Sequence, residues 1–197
     1  MLDIVRSAEL DKQEAVFKWH DSEYEIDFSF DNVLRYFKLL DDKSIDKVSR
    51  AIMAFKMFIG DGLDVPLDEM INETTRISNL LAESPYESVS SGSKVFDYEQ
   101  DSGAIYASFL KEYGIDLIEQ KGKLSYFKFT ALLNHLSSKA PINRIIQIRT
   151  ENPADHAKDA RYLQVLAEMQ QTYALKKSAD EIEQEKQAQL ENAFKDF

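Results

Sequence analysis

The chain has 197 residues, of which 44% are hydrophobic, 11% aromatic and 30% charged, and its formal net charge is −11. The absence of cysteine excludes disulfides, thiolate nucleophiles and thiolate metal sites. An anionic chain with scattered Lys and Arg repels phosphate backbones, so nucleic-acid binding is not expected. No run of about 18 apolar residues suggests a membrane span, and the first residues lack the basic flank of a signal peptide. We therefore expect a cytoplasmic protein with no membrane partner.

The first thirty residues predict one small β-hairpin. Residues 16–19 and 24–28 are rich in β-forming side chains, and in the second run Tyr24, Ile26 and Phe28 alternate with acids. The polar residues 20–23 have a suitable length for the connection. A lone hairpin is marginally stable in water, so it must pack on the helices that follow.

Three helices are predicted after the hairpin, which together make an N-terminal unit of residues 1–82. The first follows a cap at Ser29 or Asp31, and Ser44 is predicted to cap the second. The third begins at Pro66, because proline suits a first helical turn. Their apolar positions recur at steps of three and four, at Val33, Leu34, Phe37, Leu40, Ile45, Val48, Ile52, Phe55, Ile59, Leu67, Met70, Ile71, Ile77 and Leu80.

Residues 83–94 have the composition of a linker and residues 95–177 that of a second helical unit. The second unit is predicted to open with a capping box between Asp97 and Gln100. Residues 124–136 are apolar nearly all round, which predicts a helix buried on several sides. Another helix is expected to start at Pro141, and a further one to run on from the pair Asn152 and Pro153.

Residues 178–197 predict a C-terminal helical arm. Ser178 is a cap candidate, and the acids that follow suit the positive end of a helix dipole. Because the arm is polar with few apolar positions, it either packs weakly on its own core or projects and docks on a partner or a neighbouring subunit. The second alternative is favoured. The predicted fold class is mainly α: a helical bundle-like domain with one small N-terminal β-hairpin and this arm.

No catalytic or metal-binding constellation is apparent, so we expect neither an enzyme nor a cofactor. The acids Asp97, Glu99 and Asp101 fail the spacing of an EF-hand loop and suit a helix N-terminus instead. The histidines are not spaced as a zinc motif, and no glycine-rich phosphate loop is present.

Aromatic and apolar residues near the end of the chain are the candidate partner-binding residues. Exposed aromatics favour protein interfaces, because they bury large areas at low rotamer cost. The candidates are Tyr162, Tyr173, Leu190, Phe194 and Phe197.

Several stretches of the chain resemble a bacteriophage family, the gene-product-fifteen family. The likeness is strongest in the runs FDYEQD at 96–101, IYASF at 105–109 and YGIDLI at 113–118. It continues in LSYFKF at 124–129, ALLN at 131–134 and IIQIR at 145–149, and YEID at 24–27 with FKLL at 37–40 resembles the N-terminal block. The family often has tryptophans where Tyr126 and Phe127 stand.

This resemblance implies a role in long-tailed phages of Gram-positive hosts. Genes of the family lie just before the tape measure gene, a place usually held by tail assembly chaperones. The implied function is a tail assembly chaperone or accessory factor in the host cytoplasm. It would bind the tape measure protein, with the tail tube protein as a further partner and self-association as another property. The alternative is a structural component retained in the phage tail. The family carries no catalytic residues over to this chain.

Overall fold

The computed structural model describes residues 15–82 and 94–176. In these ranges, 60% of the residues are helical and one two-stranded sheet is present, which confirms the mainly α prediction. The sheet consists of β1 (Val16–Trp19) and β2 (Ser22–Glu25). The helices are α1 (Phe30–Asp41), α2 (Lys47–Ile59), α3 (Leu67–Ala82), α4 (Ser102–Tyr113), α5 (Tyr126–Asn134), α6 (Pro141–Thr150) and α7 (Ala160–Tyr173), with a short 3-10 helix at Pro153–His156.

The hairpin forms where the alternating residues predict it, but its second strand begins earlier than expected. Val16 pairs with Glu25 and Trp19 with Ser22, so the loop has two residues and His20 has a φ of 53°. Two-residue loops match the right-handed twist of paired strands. The Ile26 N–H still donates across the hairpin to the Ala15 carbonyl at 2.9 Å, but the Asp27 N–H donates to the Phe58 carbonyl at 2.8 Å. The chain therefore leaves the hairpin after Ile26.

The helix starts follow the available caps, with one correction. α1 begins directly after Ser29, although the Ser29 side chain makes no capping hydrogen bond. α2 begins at Lys47 and is capped by Asp46 instead of Ser44. The Asp46 carboxylate accepts from two backbone N–H groups of the first turn, each at 3.0 Å. The Ser44 hydroxyl instead donates a hydrogen bond to the Asp42 carboxylate at 2.6 Å.

α5 lies between α1 and α4, and its rings form the middle of an aromatic stack. The Phe129 ring centroid is 5.0 Å from that of Phe30 on α1 and 5.1 Å from that of Phe109 on α4. Phe129 is 1% exposed. The prediction that this apolar helix is buried on several sides agrees with this position.

One hydrophobic cluster includes residues from both sides of the predicted linker. Phe37 on α1 packs edge-on against Tyr126 on α5, with centroids 5.6 Å apart, and Phe17 of the hairpin packs against Phe55 on α2 at 5.3 Å. The division into units 1–82 and 95–177 stays a prediction. Most of the predicted linker, residues 83–93, and the arm 178–197 lie outside the described residues.

The helix predicted from Asn152 and Pro153 is two separate pieces. The Asn152 side chain caps the short 3-10 helix by accepting from the Ala154 N–H at 3.0 Å. Asp159 then caps α7 by accepting from the Tyr162 N–H at 2.9 Å. Asn152 and Asp159 each act as an N-cap, so the segment forms a short 3-10 helix followed by the separate helix α7.

Only half of the predicted capping box forms. The Asp97 carboxylate accepts from the Gln100 N–H at 2.6 Å, as expected of the first residue of the box. The Gln100 side chain does not reach back to Asp97, and α4 proper starts at Ser102. Gln100 bonds the chain after α7 instead, as described below.

Truncation of the central ring is expected to destabilise the whole fold. Because Phe129 contacts rings from two other helices, Phe129→Ala should lower the free energy of unfolding by about 3–5 kcal/mol. Urea denaturation followed by circular dichroism measures the change. Ile118→Ala is the matched control: Ile118 is 64% exposed, so its truncation should cost about 0.5 kcal/mol or less. A loss below about 1 kcal/mol for Phe129→Ala would contradict a central role for α5.

Candidate protein-binding surface

α7 is held against the core along one face only. Leu166, which is 2% exposed, is the buried apolar residue of this helix. Beside it, the Gln170 side chain donates to the carbonyls of Ile148 and Glu151 at 2.9 and 2.8 Å. Ile148 lies in the last turn of α6 and Glu151 directly follows the helix. Carbonyls at a helix C-terminus have no partner within the helix. α7 is thereby fixed to α6.

The neighbouring face of α7 carries a continuous line of exposed apolar side chains, which we call the α7 stripe. Its members are Tyr162, Val165, Met169 and Tyr173, spaced at three, four and four residues, so they lie on one side of the helix. Their exposed fractions are 38%, 46%, 36% and 36%. Contiguous exposed apolar surface of this kind marks protein interaction sites.

Tyr162 is fixed in place at the first end of the stripe. Its hydroxyl donates to the Glu151 carboxylate at 2.7 Å, and its ring lies 4.5 Å from the His156 ring, centroid to centroid. The hydrogen bond to Glu151 raises the pKa of Tyr162 above its ordinary value, and desolvation adds to the effect. An aromatic ring that is already ordered loses little entropy when a partner covers it.

Tyr173 marks the other end of the stripe, where the chain leaves α7. The Arg149 guanidinium donates to the Tyr173 carbonyl at 2.6 Å. The Gln100 side-chain amide makes two hydrogen bonds with the backbone just after α7. Its nitrogen donates to the Ala174 carbonyl at 2.8 Å, and its oxygen accepts from the Lys176 N–H at 3.0 Å. The end of α7 is therefore tied to the residues that precede α4.

Arg149 also forms the buried ion pair of this region. Its guanidinium bonds both carboxylate oxygens of Asp101, at 2.7 and 2.8 Å, and the two side chains are 8% and 4% exposed. The same guanidinium donates to the Val95 carbonyl at 3.0 Å, and Asp101 accepts from the Asp97 N–H at 2.9 Å. One side chain on α6 thus joins the start of α4 and the end of α7.

The acidic side chains of residues 97–101 are engaged in structural contacts. Asp97 caps a turn, Asp101 pairs with Arg149, and Glu99 pairs with Lys38 at 2.9 Å on the surface. Within residues 15–82 and 94–176, no three His, Asp or Glu side chains are placed to hold a metal jointly.

Two open grooves also lie on the surface of the described residues. The larger, of about 520 Å³, lies between residues 25–29 and 122–128, and charges of both signs line it, from Glu25, Asp27, Lys123 and Lys128. The smaller, of about 260 Å³, lies between α1, α2 and α3. No helix in the described parts of the chain has the length and apolarity to cross a membrane.

The structure brings two of the five predicted partner-binding residues together, because Tyr162 and Tyr173 belong to one stripe. Leu190, Phe194 and Phe197 lie outside the described residues. Sequence reasoning named neither Val165 nor Met169 among the partner-binding candidates. The spacing between the two tyrosines contained the missing signal, since Val165 and Met169 continue it at helical steps.

A family comparison decides the affiliation. The model of the bacteriophage Gp15 protein family matches residues 11–175, most of the chain. The chain belongs to this family. No curated protein and no solved structure matches it. The matched range includes every described helix, and the resemblance stated from the sequence is confirmed. In this Gp15-family protein, Asp101 and Arg149 join two of the stretches in which the resemblance was found.

Neutralising one partner of the buried pair should be costly. In Asp101→Asn the Arg149 charge stays buried without its counter-charge, so the free energy of unfolding should fall by about 3–5 kcal/mol. Chemical denaturation measures this loss. The control is Glu99→Gln, two residues away, whose exposed pair with Lys38 should be worth less than about 1 kcal/mol. Equal effects of the two substitutions would show that the buried pair contributes no more to stability than the exposed pair of Glu99 and Lys38.

Proposed function

We propose that this Gp15-family protein is a tail assembly chaperone, or accessory assembly factor, that binds the tape measure protein in the host cytoplasm while the tail forms. The α7 stripe is the observation that carries the proposal. A client of long amphipathic helices presents apolar residues at the same spacing of three and four, so its helices fit against such a stripe.

The composition supports a helper that keeps an apolar client dispersed. A net charge of −11 spread over the chain gives the complex mutual repulsion, which opposes aggregation. The stripe itself carries no charged side chain, since its four members are two tyrosines, a valine and a methionine. A chaperone of this kind needs an apolar face that contacts the client and a charged surface elsewhere that keeps the complex dispersed.

The stripe also suits a contact that must later be undone. Each of its side chains is already more than half covered by its own helix and neighbours, so a client gains only a moderate apolar area at each residue. Tail tube subunits that polymerise around the tape measure protein could then displace the helper without a large energetic penalty. The tail tube protein is therefore the further partner in this proposal.

Co-expression tests the role directly. When this chain is co-expressed with the tape measure protein, the soluble fraction of that protein should rise at least about two-fold and the two should co-purify. The variant Val165→Ser/Met169→Ser removes apolar contact from the stripe and should abolish the rise. Both side chains are exposed, so stability should change little.

The matched control for this experiment lies on the opposite side of the same helix. Gln164→Ser/Gln171→Ser changes two exposed residues of α7 outside the stripe, and it should leave the soluble fraction as in the unchanged chain. If neither pair of substitutions matters, or if the chain does not co-purify with the tape measure protein, the proposed role is wrong.

Purified phage particles distinguish the chaperone from a structural component retained in the tail. A helper that tube subunits displace should be found in assembling cell extracts and fall below about one-tenth of the tape measure protein in mature tails. Quantitative mass spectrometry of both samples measures this ratio, with the tail tube protein as an internal standard. Stoichiometric recovery from mature tails would favour the structural alternative.

A further inference from the structure

The groove between α1, α2 and α3 is a second place where apolar side chains remain exposed, and we call it the α2 groove. Its lining includes Leu40 of α1 and Ile71 of α3, which are 41% and 38% exposed, and the alanines Ala51 and Ala54 of α2. No residue of α7 lines it. Its volume of about 260 Å³ is below the roughly 300–1,000 Å³ of small-molecule sites, so it suits side chains that another protein presents.

Both charged side chains that line the α2 groove are cations, although the chain as a whole has a formal net charge of −11. They are Lys47 and Arg50, in the first turn of α2, and no described Asp or Glu lines the groove. Among the described residues, the Lys47 side chain has neither an ion pair nor a hydrogen bond. Complementary charge makes an interface specific, so the groove favours an occupant that carries an acidic group.

Arg50 joins the end of α1 to α2 and retains a donor without a partner. Its Nη2 donates to the carbonyls of Asp42 and Ile45 at 2.6 and 2.9 Å. Its Nε is buried and has no hydrogen-bond partner in the described residues. The Asp42 carboxylate accepts from the Ser44 N–H and hydroxyl instead, at 2.9 and 2.6 Å. A buried donor without an acceptor costs free energy, and a carboxylate that lies beside the guanidinium supplies acceptors for it.

We propose that the α2 groove is a second protein-binding site, for an amphipathic helix that carries an acidic residue one turn from a bulky apolar residue. Under the proposed function, on which the identity of this partner rests, the helix belongs to the tape measure protein. Lys47 and Ala54 are seven residues apart, about 10 Å along α2. Residues four apart on the partner helix are separated by about 6 Å, so both of its side chains fit within the groove. The carboxylate pairs with the two cations, and the apolar side chain packs on the alanines.

Overlapping peptides that tile the tape measure protein test this site in the full chain. Fluorescence anisotropy measures the affinity of each labelled peptide for the unchanged chain and for its variants. At least one peptide with an acidic residue one turn from a bulky apolar residue should bind. Lys47→Glu should weaken that binding at least about five-fold, because attraction becomes repulsion. Lys47 is exposed and an acid suits the first turn of a helix, so this variant should fold like the unchanged chain.

The matched control is Lys56→Glu, nine residues later and therefore on the opposite side of α2. It makes the same change of charge and breaks only an exposed pair with Asp61, so the affinity should stay within about two-fold. The stripe variant Val165→Ser/Met169→Ser should also leave it unchanged. Replacement of the peptide's acidic residue with lysine should weaken binding to the unchanged chain and restore binding to Lys47→Glu. Equal affinity of every bound peptide for the unchanged chain and Lys47→Glu would overturn the proposal, as would a charge exchange that restores nothing.

The whole tape measure protein separates this proposal from the proposed function. If it co-purifies with the unchanged chain but no tiled peptide distinguishes Lys47→Glu, the α2 groove is not a client site and the chaperone role stands. If it does not co-purify, the role is wrong and the groove loses its partner with it. Sedimentation of the chain alone examines the other occupant. A dimer that Lys47→Glu dissociates would show that a second copy fills the groove, which would also overturn the proposal.

Discussion

The Arg149 guanidinium connects three parts of the chain beside the candidate surface. It pairs with Asp101 before α4, bonds the Val95 carbonyl, and reaches the Tyr173 carbonyl at the end of α7. A guanidinium suits this position because its donors are held in a fixed plane, which a lysine would not provide. The charge is buried, so its stabilising value depends on the Asp101 carboxylate being correctly placed beside it. The position of the α7 stripe is therefore set by a polar interaction of the core and not only by apolar packing.

The aromatic stack around Phe129 provides the other constraint. Phe30, Phe129 and Phe109 come from three helices, of which α1 is far from the other two in sequence, and their rings are nearly parallel, with interplanar angles of 18° and 15°. The sequence allowed the buried helix to be predicted, because residues 124–136 have no polar face. It did not indicate which rings would meet, since contacts between distant segments leave no local periodicity. Local signals thus predicted the helices, while the packing between them needed the structure.

Two of the errors in the predicted helix starts share one physical cause, which is competition between polar groups for the same side chain. Ser44 and Asp46 are both good caps, and the structure uses Asp46 because Ser44 is bonded to Asp42. Gln100 was predicted to complete a local capping box, yet it binds the chain after α7, more than seventy residues away. The α7 stripe was half predicted for a similar reason. The spacing of Tyr162 and Tyr173 was visible, but the buried side of the helix could not be chosen between Leu166 and its apolar neighbours without knowing where α6 lies.

The size of the stripe bears on how a chaperone of this design would hold a long client. Fully burying one large apolar side chain contributes about 1.5–3 kcal/mol. The four members are only 36–46% exposed, so covering all of them adds roughly 2–5 kcal/mol. Association of two free molecules costs about 4–15 kcal/mol, so one stripe alone does not hold a free helix. Each copy that binds along a long client loses its own freedom, so under the proposed function the client must also contact residues beside the four of the stripe. A small apolar contact of this kind leaves each copy able to dissociate, which is the property that the proposed replacement by growing tube subunits requires.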